Sequence, residues 1–535
     1  MLRHREIQPG QAPGQDTLQG APDSPRRRPH PLAIPEILCL LAEFLDQQTT
    51  LDAMKVSRAW RTAFTPYLWK DAQMNMSMPE REPPYNTVLM NAHFVHTLRL
   101  RCKHTVALKH PILPFSLSNF PTCRNLSKLT IEIMDTNNNG TLFSLILQHS
   151  MFLTSVSLTA AVGPLENPSD LWNALVKCIH LRQLEYAGMR LTDPSEHMEL
   201  YLMLWSRLDV LKLSGDWCAP GTLDNPVFII PKGLDDPISE IPGSGRLRDL
   251  TIEGTHMHRD KMKAQAWMIK QCSATLTRLY WKPKSWLRAV EKASPMNYVF
   301  SLIAMGQCPN LETLLMPGLD YSLDIFTELV KKMRRLTEID LAATNFGFWE
   351  WTTLQTLPWH MSAIRVLHLE GCLNMTGVII QDMLCSLPSL ESFKAGNLWD
   401  IDIIDDPRPW ICKDLKELVL TIVFRTSPHP HRMIQSRLSS LLRLEICELN
   451  RPHDECFRMT LQSGLDRLGS LRRMRRFHVQ AGKDAPWAMW KEEEVEWALK
   501  HWPFLEELSG VALTARAQQL LCRHRIRYAP TRFRS

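Results

Sequence analysis

His258-Arg259-Asp260 is the triplet on which a phosphoryl transfer would be built, with the aspartate taking the proton of an attacking hydroxyl. That chemistry also needs an asparagine five residues on, and Gln265 stands there instead. No glycine-rich loop precedes the triplet and no Asp-Phe-Gly follows it. His256 with His258, and His429 with His431, each offer two imidazoles to a metal, but neither pair has the nearby third and fourth ligands that zinc requires. Cys372 with Cys385 and Cys447 with Cys456 lack ligand spacing too. No Ser-His-Asp grouping, phosphate-binding loop or dinucleotide fingerprint appears. The expectation is a protein with no catalytic residue, no metal and no cofactor.

His258 follows directly on one copy of a pattern that organises most of the chain: apolar, two variable, apolar, one variable, apolar. Examples are Val95-Leu98-Leu100, Leu208-Leu211-Leu213, Leu247-Leu250-Ile252 and Leu336-Ile339-Leu341, and the series runs on to Leu505-Leu508. Successive copies start 25 to 39 residues apart. The last two apolar positions alternate as a short strand with one face inward, and the remaining residues return to cover the other side. Ser322 to Met333 and Met375 to Leu387 carry apolar residues at helical spacing and are expected to be two of those return segments. Each unit touches only its neighbours, so the expected fold is α/β, a curved solenoid with a parallel sheet on its concave face, over residues 92 to 510.

These units resemble leucine-rich repeats, and LHLEGCLNMTGVIIQDML at 367 to 384 resembles the cysteine-containing subtype most closely. The resemblance implies that Cys372 fills the position of that repeat's buried Cys or Asn and that Thr376 begins the next helix. LEYAGMRLTDP at 184 to 194 is a looser match, with Met189 in the cysteine position.

Residues 31 to 72 have a different character. Ile34, Leu38, Leu41 and Leu45 follow one helical face, Pro35 suits a first helical turn, and Gln47 to Thr50 read as a polar break. Leu51, Met54 or Val56, Trp60 and Phe64 give a second apolar face. So short a segment has more apolar surface than it can cover, which fits a docking module or an N-terminal cap for the repeats. In order, Ile34-Pro35-x-Ile37-Leu38, Phe44-Leu45, Leu51, Val56-Ser57-Arg58-x-Trp60 and Leu68-Trp69 resemble the F-box, with Ile34 where leucine is commoner. An F-box binds the Skp1-type adaptor of cullin-RING ubiquitin ligases. The resemblance implies that Ile34, Pro35, Leu38, Leu51, Val56 and Trp60 supply the adaptor contact, with Trp60 as anchor, and that the repeats hold a substrate protein. Two other readings stay open, a repeat scaffold unconnected with ubiquitin and a leucine-rich-repeat GTPase activator.

The net charge of +6 does not imply a nucleic-acid partner. Residues 1 to 30 carry five arginines and three acids, and residues 516 to 535 carry six arginines and no acid, so the ends supply +8 and the body −2. A nucleic-acid groove would carry its charge on the folded face. Residues 1 to 30 are expected to be a disordered basic tail and 511 to 535 another; RRRPH at 26 to 30 is either part of a nuclear import signal or solvated charge. Thirteen cysteines in no framework suggest reduced thiols and a cytoplasmic or nuclear location. Neither a secretion signal nor a membrane span is expected, which makes the glycosylation triplets at Asn125, Asn139 and Asn374 chance.

Two surfaces are candidates for holding a substrate. The outward columns of the central strands hold Asp249, Glu253, Tyr280, Glu338, Asp340, His368 and Glu370, an acid-rich face suited to a basic segment with an apolar anchor. The other is the proline-punctuated insertion at 216 to 245, expected to protrude as a loop.

Overall fold

The computed structural model describes residues 34–75, 85–102, 122–133, 139–160, 168–187, 204, 206–214, 245–253, 269, 272–282, 308–318, 321–423, 430–450, 459–479 and 489–529. The insertion at 216 to 244, the His256 to Asp260 segment, Met189, His429 and Cys456 lie outside them. The chain divides into two compact units, Met1–Asp71 and Ala72–Ser535.

In the first unit the described residues form helices α1 (Pro35–Ala42), α2 (Gln47–Ala53) and α3 (Arg58–Lys70). Pro35 opens α1, where a missing N–H costs no hydrogen bond. Gln47 to Thr50, expected as a break, are the first turn of α2, because the Asp46 carboxylate accepts the Thr49 N–H at 2.7 Å and caps the helix. Ser57 caps α3 in the same way, its hydroxyl accepting the Trp60 N–H at 3.2 Å. The small core is Leu38, Ala42, Ala53 and Phe64, with Leu45, Met54, Trp60, Ala63 and Tyr67 packed against it.

The second unit is one long sheet. It opens with β1 (Asp71–Asn75), β2 (Thr97–Cys102), β3 (Lys128–Ile133), β4 (Ser155–Ala160), β5 (Gln183–Ala187) and β6 (Val210–Ser214). It continues through β7 (Asp249–Glu253), β8 (Arg278–Lys282), β9 (Thr313–Leu315), β10 (Glu338–Asp340), β11 (Val366–His368) and β12 (Ser392–Trp399). The remaining strands are β13 (Glu417–Val423), β14 (Ile446–Asn450), β15 (Arg476–Val479), β16 (Glu507–Ser509) and β17 (Arg527–Ala529). β1 pairs with β2, and from β2 onward each strand pairs in parallel with the next in sequence.

The register keeps the repeats in step. Leu250 stands beside Leu279, then Leu314, Ile339, Leu367 and Phe393 in turn, all of them buried. Return helices include Leu323–Lys332, which buries Phe326, Leu329 and Val330, and Gly377–Ser386, with Thr376 at its N-cap as the repeat resemblance implies. Cys372 donates its thiol to the Leu341 carbonyl at 3.1 Å, and Thr344, one repeat earlier, donates to the same oxygen at 2.8 Å. Burial pushes the Cys372 thiol up, which keeps it protonated and a donor. The second unit is thus an α/β leucine-rich-repeat solenoid.

The sheet extends past both expected ends. β1 begins it at Asp71 rather than near 92, burying Ala72 and Met74. At the other end residues 511 to 529 are not a tail: Thr514 caps the helix Ala515–Arg523, and β17 pairs with β16. The pattern is hidden there because Arg525, three residues before Tyr528, replaces the usual apolar residue. No helix among the described residues is long and apolar enough to cross a membrane.

Three consecutive repeats share a left-handed residue two positions after the last strand-face apolar: Gly318 (φ 77°), Ala343 (φ 57°) and Gly371 (φ 72°). These turns stack, the Gly318 N–H donating to the Ala342 carbonyl and the Ala343 N–H to the Glu370 carbonyl, each at 2.7 Å. Ala343 alone carries a Cβ in a conformation that disfavours one. Ala343→Gly should therefore stabilise the repeat unit by about 1 kcal/mol, read as a raised urea midpoint at unchanged slope; a lowered midpoint would mean that the methyl packs well enough to outweigh the strain.

Candidate interaction surfaces

The first candidate surface lies on the three-helix unit. Pro35, Leu51 and Val56 are exposed, and Ile34 is half-buried at the start of α1. Leu38 is not a contact residue in this arrangement: it is 1% exposed, because Leu38 and Ala42, four apart on α1, form the face that meets Phe64. Trp60 is half-buried, its ring centroid 5.6 Å from that of Phe64, so it supports the core as well as lining the surface. Leu40 and Phe44, outside the implied contact set, are 60% and 85% exposed. Phe44 already stands in the F-box resemblance, and its place between α1 and α2 is the signal for its exposure.

The second candidate is the sheet face. The expected residues fall on it in register, but their carboxylates are not free. Asp249 is 3.8 Å from Arg278 and Glu253 is 3.8 Å from Lys282, both across the β7–β8 pair. Burial raises the Asp249 carboxyl, and Arg278 and Lys212 oppose that rise. Tyr280 is also raised, by burial first and then by Glu253 and Asp340. Glu338 accepts the Thr313 hydroxyl at 3.1 Å.

A longer chain of contacts crosses β10 to β13. Asp340 stands 3.8 Å from His368 Nδ1, and His368 Nε2 meets the Ser392 hydroxyl at 3.0 Å. Ser392 donates to Glu417 at 2.7 Å, and Lys394 pairs with Glu417 at 3.0 Å. Asp249, Glu253 and Glu417 thus have cations one strand away, whereas Glu338 has a hydroxyl partner and Asp340 an imidazole. Glu370 differs: it lies past the strand end on an exposed turn, and burial among its neighbours raises its carboxyl.

The more basic strands to the C-terminal side are compensated as well. Arg443 pairs with Asp414 at 2.7 Å, and Arg476 lines a groove of about 280 Å³ together with Arg475, Arg527, Glu445, Glu506 and Glu507. His478 meets the Ser509 hydroxyl at 2.9 Å, and burial pushes its pKa down. Among the described residues no three His, Cys, Asp or Glu side chains converge as metal ligands.

Burial pushes the Glu417 carboxyl up, but hydrogen bonds from Ser392 and Lys394 outweigh it and hold Glu417 below the ordinary carboxylate range. Lys394→Met should raise the Glu417 titration midpoint in carboxyl-carbon NMR, and Ser392→Ala should raise it further. No movement in the first variant would mean that the ion pair does not persist in solution.

No protein-family model matches the chain, and no curated protein sequence matches it. Among solved structures, an internalin from Listeria monocytogenes is similar over 77% of this chain and 82% of its own, at 12% identity and a TM-score of 0.26. A superposition that loose carries no weight, so the assignment rests on the chain's own features. The in-step parallel ladder and the Thr344 and Cys372 bonds to one strand-end carbonyl make the second unit a leucine-rich-repeat solenoid.

Proposed function

We propose that this chain is a non-catalytic substrate-recognition subunit of a cullin-RING ubiquitin ligase, its three-helix unit docking on a Skp1-type adaptor and its repeats holding a substrate protein. One observation carries the reading: among the described residues of a unit whose small core is Leu38, Ala42, Ala53 and Phe64, the side chains of Phe44, Leu51 and Val56 are left exposed. They stand in the order of the F-box resemblance. A cap folded against its own repeats has no need of that order, whereas an adaptor would bury these groups on binding.

Trp60 is a poor probe of this reading, because its loss would also weaken the packing around Phe64. The exposed residues are better. Phe44→Ser with Val56→Asp should leave the unit folded and remove adaptor and cullin from the purified full chain. Loss of central apolar anchors commonly costs about 2 kcal/mol or more, so co-purification should drop at least tenfold. Adaptor recovered at wild-type yield by that double variant, or absent from the wild type, would leave a repeat scaffold unconnected with ubiquitin.

A further inference from the structure

Elsewhere on the repeats the exposed large apolar side chains are single, as with Leu442 and Phe504, or form a smaller group, as with Met151, Phe152 and Ile179. One region departs from this. Three successive strand-to-helix connections after β10, β11 and β12, each taken with the opening of the helix that follows it (Phe348–Gln355, Gly377–Ser386 and Asp400–Asp405), expose Phe348 and Trp349, then Leu373 and Val378, then Ile401 and Ile404. Trp349 is 64% exposed and Leu373 90%. The Phe348 and Trp349 rings sit edge to face at 5.2 Å.

The loops are neighbours in space as well as in order. Gly347 forms a parallel bridge with Asn374, and the Leu373 N–H donates to the Thr344 carbonyl at 3.3 Å. Gly377 lies so close to Asp402 and the Trp399 backbone that no Cβ fits between them. Behind the loops, Asp382 accepts from Trp351 Nε1 at 2.7 Å and from Gln355 at 2.6 Å, and pairs with Arg408 at 2.7 Å. Gln381 adds bonds to the Asp406 carbonyl and to Trp410 Nε1. The surface is therefore tied to its neighbours and to the helices behind it.

Its charge is one-sided. Residues 341–349, 369–378 and 397–405 contain four acids and no lysine or arginine; Asp400 is buried and Asp402 is half-buried, accepting the Trp399 N–H, so Glu370 and Asp405 are the exposed charges. Burial raises the Asp402 carboxyl; the Trp399 N–H opposes this, and Asp405 and Asp400 add to it. Lys394 on the adjoining strand is taken up by Glu417. An acidic partner would be repelled here, and a wholly apolar one would desolvate carboxylates without pairing them.

We propose that these three loops form a docking surface for a basic segment of a partner protein that carries apolar anchors, and that the chain takes its substrate here rather than at the centre of the sheet face. The inference rests on the reading of the chain as a substrate receptor. The aromatic pair and Leu373 receive the anchors, while Glu370 and Asp405, both exposed, meet the cations.

The test is a selection from a random linear-peptide library on the immobilised full-length chain. The strongest binder is then labelled and measured by fluorescence anisotropy. The selected pool should be rich in lysine and arginine interspersed with aromatic residues or leucine. Trp349→Ser with Leu373→Ser, and separately Glu370→Gln with Asp405→Asn, should each weaken the peptide at least tenfold, with circular dichroism and thermal midpoint unchanged. Glu493→Gln with Glu496→Gln, an equal loss of charge on a distant helix, should leave binding as in the wild type. No enrichment, an acidic pool, binding by both loop variants within threefold of the wild type, or a loop surface occupied by a second copy of this chain in sedimentation would overturn the proposal. Adaptor co-purification separates the two readings. Loop variants that lose the peptide should keep the adaptor, and a wild type that binds the peptide but no adaptor would remove the ubiquitin role while leaving the docking surface standing.

Discussion

Every strand of the repeat unit turns apolar side chains to one face, and these can be covered only by the strands on either side and the segment that returns behind them. Burying a residue such as Leu279 or Leu367 is worth about 1.5 to 3 kcal/mol, and none of that is available to an isolated repeat. The constraint explains the unbroken ladder from β2 to β17, because an interruption would expose the inward residues of both flanking strands. The first and last described strands bury less than the others: β1 buries Ala72 and Met74, and β17 has Tyr528 half-buried with its hydroxyl donating to the Val511 carbonyl at 2.9 Å.

The same constraint decides what the sequence makes legible. A position that must be apolar in every unit repeats, so the strand-face residues and the helices after Ser322 and Thr376 stand out from spacing alone. Positions fixed by a local bond do not repeat. The first turn of α2 depends on a single Asp46 cap and was hidden behind polar residues. β17 was masked by Arg525, and β1 by residues with little strand propensity. Leu38 shows a different gap: an apolar helical stripe does not say which of its members face the unit's own core and which face a partner.

Charge was the least legible feature. The partner of an acid on the sheet face lies on a neighbouring strand, such as Arg278 on β8 for Asp249 on β7. Reading one strand at a time counts the acids and misses Lys212, Arg278, Lys282 and Lys394 near them. Cross-strand pairing makes the face costly to desolvate, since a partner must displace bonds already made. The turns past the strand ends and the helix openings that follow them are free of that rule. Their side chains need not match a neighbour in register, so a one-sided charge and an unpaired aromatic pair persist there.

If the chain acts as the proposed receptor, its contribution to rate is proximity, holding an acceptor lysine where a charged partner enzyme can reach it. That contribution shrinks if part of the binding energy is spent on ordering the receptor first. Loops are ordinarily the costly choice for this reason. Here the bonds converging on Asp382 and Gln381 tie the helices behind the loops to one another. The turns at Gly318, Ala343 and Gly371 stack through backbone bonds as well. On the proposed reading, the chain combines the chemical freedom of positions outside the ladder with helices tied to one another behind them, which lowers the ordering that binding must impose.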